Sequence, residues 1–262
     1  MDKKYWPAVL LPLIAFSILL IWVPHLYPTG RGYTFIAAAL LIAAEIALVG
    51  YLINKQLAGV FIDNRNRLSL SKLQAGAWTV VVLAAFATAA AYNAAAPHLA
   101  YDTVDALKIV IPGELLLAMG ISATSLVATP GLLSLKASET PDDKEVDAAA
   151  ARMQPNSRAP ALPPPNGKVL IMNSPADASL ADLFTGDEVG NAGVADLGKI
   201  QQVLISLVLI GAYAVYVFQY FSTSLTIVPT LPVLDQSFVW LLGISHASYL
   251  AYKAAPHTQS AT

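Results

Sequence analysis

Asn64-Arg65-Asn66-Arg67-Leu68-Ser69-Leu70-Ser71-Lys72-Leu73-Gln74 is a basic, polar stretch that runs directly into an apolar one, and that junction decides the fold. The apolar run that follows reaches about residue 96, and a helix needs about 20 such residues to cross a hydrocarbon layer. Working outward, similar stretches lie near 6–27, 33–54, 113–134, 199–221 and 236–254, besides this one near 74–96. The chain therefore reads as an all-α integral membrane protein with six transmembrane helices.

Positive charge alternates along these spans. Lys3 and Lys4 precede the first. Lys55, Arg65, Arg67 and Lys72 separate the second and third. Lys136, Lys144, Arg152, Arg158, Lys168 and Lys199 separate the fourth and fifth, and Lys253 ends the sixth. Only Arg31 and Lys108 fall in the other connections. Cytoplasmic loops collect Lys and Arg near helix ends. This places the expected protein in the plasma (inner) membrane, multi-pass, with both termini cytoplasmic.

Composition agrees. The chain is 56% hydrophobic and 12% charged, against roughly 25% charged for a soluble domain. A net charge of −2 gives no reason to expect nucleic-acid binding. The absence of cysteine excludes disulfides, thiolate metal sites and cysteine nucleophiles. The first span is too long for a usual signal core, carries Pro7, Pro12 and Pro24, and has no small-x-small site after it. It is expected to stay uncleaved.

The second half echoes the first. Asn64, Lys72 and Gln74 recur in register as Asn191, Lys199 and Gln201, with Leu73 becoming Ile200. Ser69 and Asp196 stand at the matching position, where a side-chain oxygen can cap free helix N–H groups. Gly120-Ile121-Ser122-Ala123 and Gly243-Ile244-Ser245-His246 match similarly, with Ser125 opposite Ser248. The expectation is a parallel duplicated helical hairpin, spans three and four followed by five and six, rather than the inverted repeat common in transporters. Chance similarity among small apolar residues is the competing explanation.

Domain organisation follows. Residues 1–135 carry the first four helices, and 199–262 carry the last two with a cytoplasmic tail. Residues 136–168 are rich in Ala, Pro and charge and are expected to be a disordered linker. Residues 169–198 form a short cytoplasmic cap segment, with Val169–Met172 apolar and Ser179–Phe184 a capped turn or short helix. That segment and Phe61–Asn64 face the same side and are expected to pack together. Asp177, Asp182, Asp187 and Glu188 lack calcium-loop spacing and read as a solvated face.

Two intramembrane polar residues stand out. Glu45 lies about 12 residues into span two, roughly 18 Å deep at about 1.5 Å per residue. A carboxyl there is costly and is a functional-site hypothesis by default. His246, about nine residues into span six, is its natural partner for a proton relay. For each there is a structural alternative: a hydrogen bond that holds helices together. Tyr213, Tyr216 and Tyr220 share a helical face that suits either a groove or packing. Alanine-dense span three is expected to be central or at a subunit contact.

No phosphate loop, HExxH, nucleophile elbow or TVGYG-like filter is present. His25, His98 and His257 are scattered, which disfavours haem or metal clusters, and no cofactor is expected. The first functional expectation is a non-enzymatic scaffold or anchor for a protein partner on the cytoplasmic face, embedded in the lipid bilayer as a monomer or a homo-oligomer. The alternative is an ion- or proton-coupled small-solute transporter or channel component using Glu45 and His246.

Overall fold

Long apolar runs bounded by cap residues become helices here, as their composition demands. The structure, a computed structural model, describes residues 7–96, 106–153, 164–224 and 227–255. The helices are α1 Leu10–Leu26, α2 Arg31–Asn54, α3 Leu70–Ala95, α4 Gly113–Ala137, α5 Asp143–Met153, α6 Leu197–Thr223 and α7 Gln236–Ala254. Among the described residues the only β pairing is a set of isolated bridges. Among the described residues, five segments are long and apolar enough to cross a membrane: Pro7–Leu26 and helices α2, α3, α4 and α6. α7 coincides with the sixth expected span but falls outside that set. Its 19 residues include Gln236, Ser237, Ser245, His246, Ser248 and Lys253, which dilute its hydrophobicity.

The chain divides into two compact units. The first comprises Met1–Val60, Gly76–Gly120 and Ser206–Trp240, and the second Phe61–Ala75, Ile121–Ile205 and Leu241–Thr262. In the first, α3 supplies the core with Trp78, Val82, Ala84, Ala85 and Ala89. Of the five apolar segments it is the most enclosed, with 44% of its most apolar stretch buried. Small alanines allow that close approach. Opposite them α6 presents Leu209, Tyr213, Val217 and Phe221, spaced by one helical turn. Trp78 packs against Tyr213, and Phe35 of α2 against Phe221, at ring separations of 5.9 and 6.0 Å. The expected tyrosine face is thus not shared. Tyr213 is core, whereas Tyr216 is exposed, because the buried stripe steps by four residues rather than three.

Polar side chains tie the loops of this unit. Tyr92 donates to the Tyr27 carbonyl at 3.0 Å and pairs with the Thr34 hydroxyl at 2.9 Å, pinning the α1–α2 turn. Arg31 donates to the Ser224 carbonyl and lies over the Tyr92 ring. Asn93 bonds both the carbonyl and the N–H of Val228, and the Ala106 carbonyl. At the other end of α2 the chain doubles back so tightly that a β-carbon on Gly59 would collide with the Gly50 carbonyl. Lys55, in the left-handed region at φ 59°, makes that reversal possible.

The second unit corrects the expectation of a disordered linker over 136–168. Residues 143–153 form α5, whose Val146, Ala149 and Met153 pack on Leu170, Val189 and Ala192. A polar, alanine-rich segment gains order here because one helical face finds apolar side chains supplied by the cap. Residues 154–163 of that linker lie outside the described residues. The cap segment itself is a run of turns. Leu180–Leu183 is a single 3-10 turn with a Ser179–Asp182 capping box, as its sequence implied. Ser69 and Asp196 cap α3 and α6, with bonds to Lys72 N at 3.4 Å and Lys199 N at 3.0 Å.

Candidate functional site

The strongest concentration of chemistry lies in the second unit, around Asp187. Its Oδ1 is 2.9 Å from Arg65 Nη1, 2.9 Å from Lys199 Nζ and 3.6 Å from Arg67 Nη1. Its Oδ2 is 2.5 Å from Lys253 Nζ. Arg67, which is 0% exposed, spends its fork on three acceptors. Nε meets Asp182 Oδ1 at 2.9 Å, Nη1 the Gly186 carbonyl at 2.6 Å and Nη2 the Thr185 hydroxyl at 3.0 Å. Asp182 Oδ2 also accepts from Leu68 N and Ser179 N. Lys136 pairs with Glu188 at 2.5 Å and donates to the Ala255 carbonyl.

The electrostatics follow from this geometry. Burial alone would raise the Asp187 carboxyl, but Arg65, Lys199, Lys253 and Arg67 hold it well below the usual carboxylate range. Burial works against the Arg65 charge, yet Asp187 and Asp63 keep the guanidinium a more persistent cation than usual. The solvated acidic face expected for Asp182, Asp187 and Glu188 is therefore overturned: all three are buried. Their counter-charges come from the basic 64–74 stretch and from the ends of α4, α6 and α7. The 61–67 loop and the cap do pack together, with Met172 N bonding the Arg65 carbonyl and Asn66 Nδ2 the Met172 carbonyl.

His246 belongs to a second polar group in the same unit. Its Nδ1 is 2.5 Å from Ser125 Oγ and 3.2 Å from Gln202 Nε2. Gln202 Nε2 also donates to Gln74 Oε1 at 3.0 Å. Gln202 Nε2 can only donate to Nδ1, whereas the Ser125 hydroxyl can donate or accept, and the remaining ring nitrogen is Nε2. That atom is buried without a hydrogen-bond partner among the described residues. The row Gln74, Gln202, His246 and Ser125 was only partly legible beforehand. Gln202 was missed because the repeat pointed to its neighbour Gln201, which is exposed.

Glu45 belongs to the first unit. It is half-buried in a cavity of about 390 Å³ whose walls include Phe16, Leu41, Ile42, Leu83 and Phe86. Its Oε2 is buried with no hydrogen-bond partner among the described residues. Apart from Thr79, the residues that line the cavity with Glu45 are apolar.

The repeated motif residues occupy different environments. Buried positions on α6 are Lys199, Gln202, Ser206, Leu209, Tyr213, Val217 and Phe221. Each lies 128 residues after a buried position on α3: Ser71, Gln74, Trp78, Val81, Ala85, Ala89 and Asn93. The sequence match has a spacing of 127, and one residue turns a helix by about 100°. So Lys199 and Lys72 do not share a face. Lys199 is buried on Asp187, whereas half-buried Lys72 bonds the Ile62 carbonyl at 2.7 Å. In α4 and α7 the buried positions are likewise shifted by one from the expected pairing, setting Ser122 against His246. Asn64 lines a small cavity and Asn191 Oδ1 caps Glu188 N at 2.9 Å. Comparison of the chain with protein families, curated proteins and solved structures returns no match.

Proposed function

We propose that the chain is a non-enzymatic multi-pass membrane subunit that serves as a scaffold or anchor for a protein partner. In this reading all six spans cross the plasma (inner) membrane as a duplicated hairpin following an initial pair. Both termini and the cap face the cytoplasm. The observation that carries it is a set of exposed apolar side chains on a hydrogen-bonded cap. Leu180 and Leu197 are 71% and 74% exposed, and Phe184 and Val194 are also open. The stretches that bear them are held by Phe184 N to the Ala181 carbonyl, Gly186 N to the Val194 carbonyl and Asp196 N to the Phe184 carbonyl. Clustered large apolar side chains outside a core mark interaction surfaces. The ion network beneath spends its charges inside the unit, which suits a fixed platform rather than a reactive site.

The test is purification of the native protein in gentle detergent, comparing wild type with the double variant Leu180→Asp, Leu197→Asp. A specific partner should copurify with wild type and be lost from the variant, while the melting temperature stays within a few degrees. A partner retained undiminished by the variant would refute the assignment of this surface. The transporter reading draws on Glu45 and the buried His246 row, and proton and cation flux through reconstituted protein separates the two.

A further inference from the structure

Of the two lysines that the sequence places at equivalent helix entrances, one is consumed by the fold and the other is not. Lys199 Nζ bonds Asp187 Oδ1 and two carbonyls. Lys72 bonds the Ile62 carbonyl and no carboxylate among the described residues. It lines a cavity of about 260 Å³ in the second unit. Asn64, Ser69, Asn166 and Ser134 give that cavity a polar side, and Leu126 and Leu133 of α4 give it an apolar one. Asp63 and Arg65 also line it, but they neutralise one another, with Arg65 Nε and Nη2 on Asp63 Oδ2 at 2.8 and 2.6 Å. Lys72 is thus the lining cation that meets no carboxylate among the described residues.

We infer that this cavity binds the phosphate group of an anionic phospholipid, with Lys72 as counter-ion and the α4 leucines against the acyl chains. A single cation beside amide and hydroxyl donors matches a phosphate diester. The adjoining apolar wall favours a lipid over a soluble phosphate. Lys72 sits in the first turn of an apolar helix, where a lysine reaches the headgroup level of a bilayer. The inference rests on the membrane reading of the chain and is independent of the scaffold reading.

The experiment uses the full chain in vesicles of phosphatidylcholine with a minor share of phosphatidylglycerol. Lipid retained after gentle detergent exchange is then counted by native mass spectrometry. Lys72→Gln should lower retained phosphatidylglycerol about fivefold, the effect of one lysine on an anionic lipid. Lys72→Arg should retain it, and Lys55→Gln, at the exposed end of α2, should be unchanged. Ser134→Phe, which narrows the cavity and alters no charge, should also lose the lipid, so the test survives a poorly folding Lys72 variant. Equal retention in Lys72→Gln and wild type would overturn the site. So would an equal loss in Lys55→Gln, which would mean general surface attraction. Displacement of the lipid by inorganic phosphate would reassign the cavity to a soluble anion and overturn the lipid assignment.

Discussion

Asp187→Asn is expected to unfold the second unit rather than adjust it. The substitution keeps shape but removes the negative charge that Arg65, Lys199 and Lys253 share at 2.5–2.9 Å. Three buried cations would then face one another across a neutral amide. Removing one member of a buried ion network costs about 3–5 kcal/mol, because the partner charges stay behind without compensation. A thermal melt in detergent, read alongside protease cleavage within 169–196, should show early loss of the cap. The same carboxyl sets an acid limit. Its folded-state affinity for protons is depressed. Its contribution is therefore complete above the unfolded carboxylate value of about 3.9 and is lost as pH falls below that toward the lower folded value. Wild type should hold its cap through mildly acidic pH and release it only below the ordinary carboxylate range.

Arg67→Lys is the second large effect, although it preserves charge. Arg67 bridges Asp182, Gly186 and Thr185 through three separate nitrogens. A single ammonium cannot reach three acceptors set for a planar fork. At least one buried acceptor is left unmet, at about 1–3 kcal/mol. Arg67→Met, which also strands Asp182, should cost more, about 3–5 kcal/mol. The ordering wild type, Lys, Met in melting temperature checks the geometry. Equal behaviour of Lys and wild type would show that charge alone matters at this position.

The apolar helices and their starts were legible in sequence because both signals are local. A run of apolar residues and a Ser or Asp before it suffice, as Ser69 and Asp196 illustrate. The ion network was not legible for the opposite reason. Asp182 and Asp187 form an acidic stretch in the chain, and apart from Lys199, 12 residues from Asp187, their counter-charges lie far away in sequence: 115 residues separate Arg67 from Asp182 and 66 separate Lys253 from Asp187. The repeat misled about faces in a similar way. Sequence matching aligned Lys72 with Lys199 at a spacing that the buried stripes of α3 and α6 miss by one residue. Asp187 draws Lys199 inward, and among the described residues no acid does so for Lys72. Helix α5 escaped notice because its alanines become a packing face only once Leu170, Val189 and Ala192 are beside them. Glu45 stands out in sequence as a lone carboxyl in an apolar helix, and His246 as a lone imidazole in another. His246 is engaged by Ser125 and Gln202.

The central claim, a scaffold rather than a transporter, is tested most directly at Glu45. Wild type and Glu45→Gln are reconstituted in sealed vesicles, and proton and cation flux is measured beside oligomer size and partner capture. Glutamine keeps the size and hydrogen-bonding capacity of the side chain but cannot carry charge. The account predicts no flux above that of protein-free vesicles for either protein, with assembly and partner capture unchanged. A wild-type flux abolished in Glu45→Gln, with the oligomer and partner binding intact, would contradict it and establish transport.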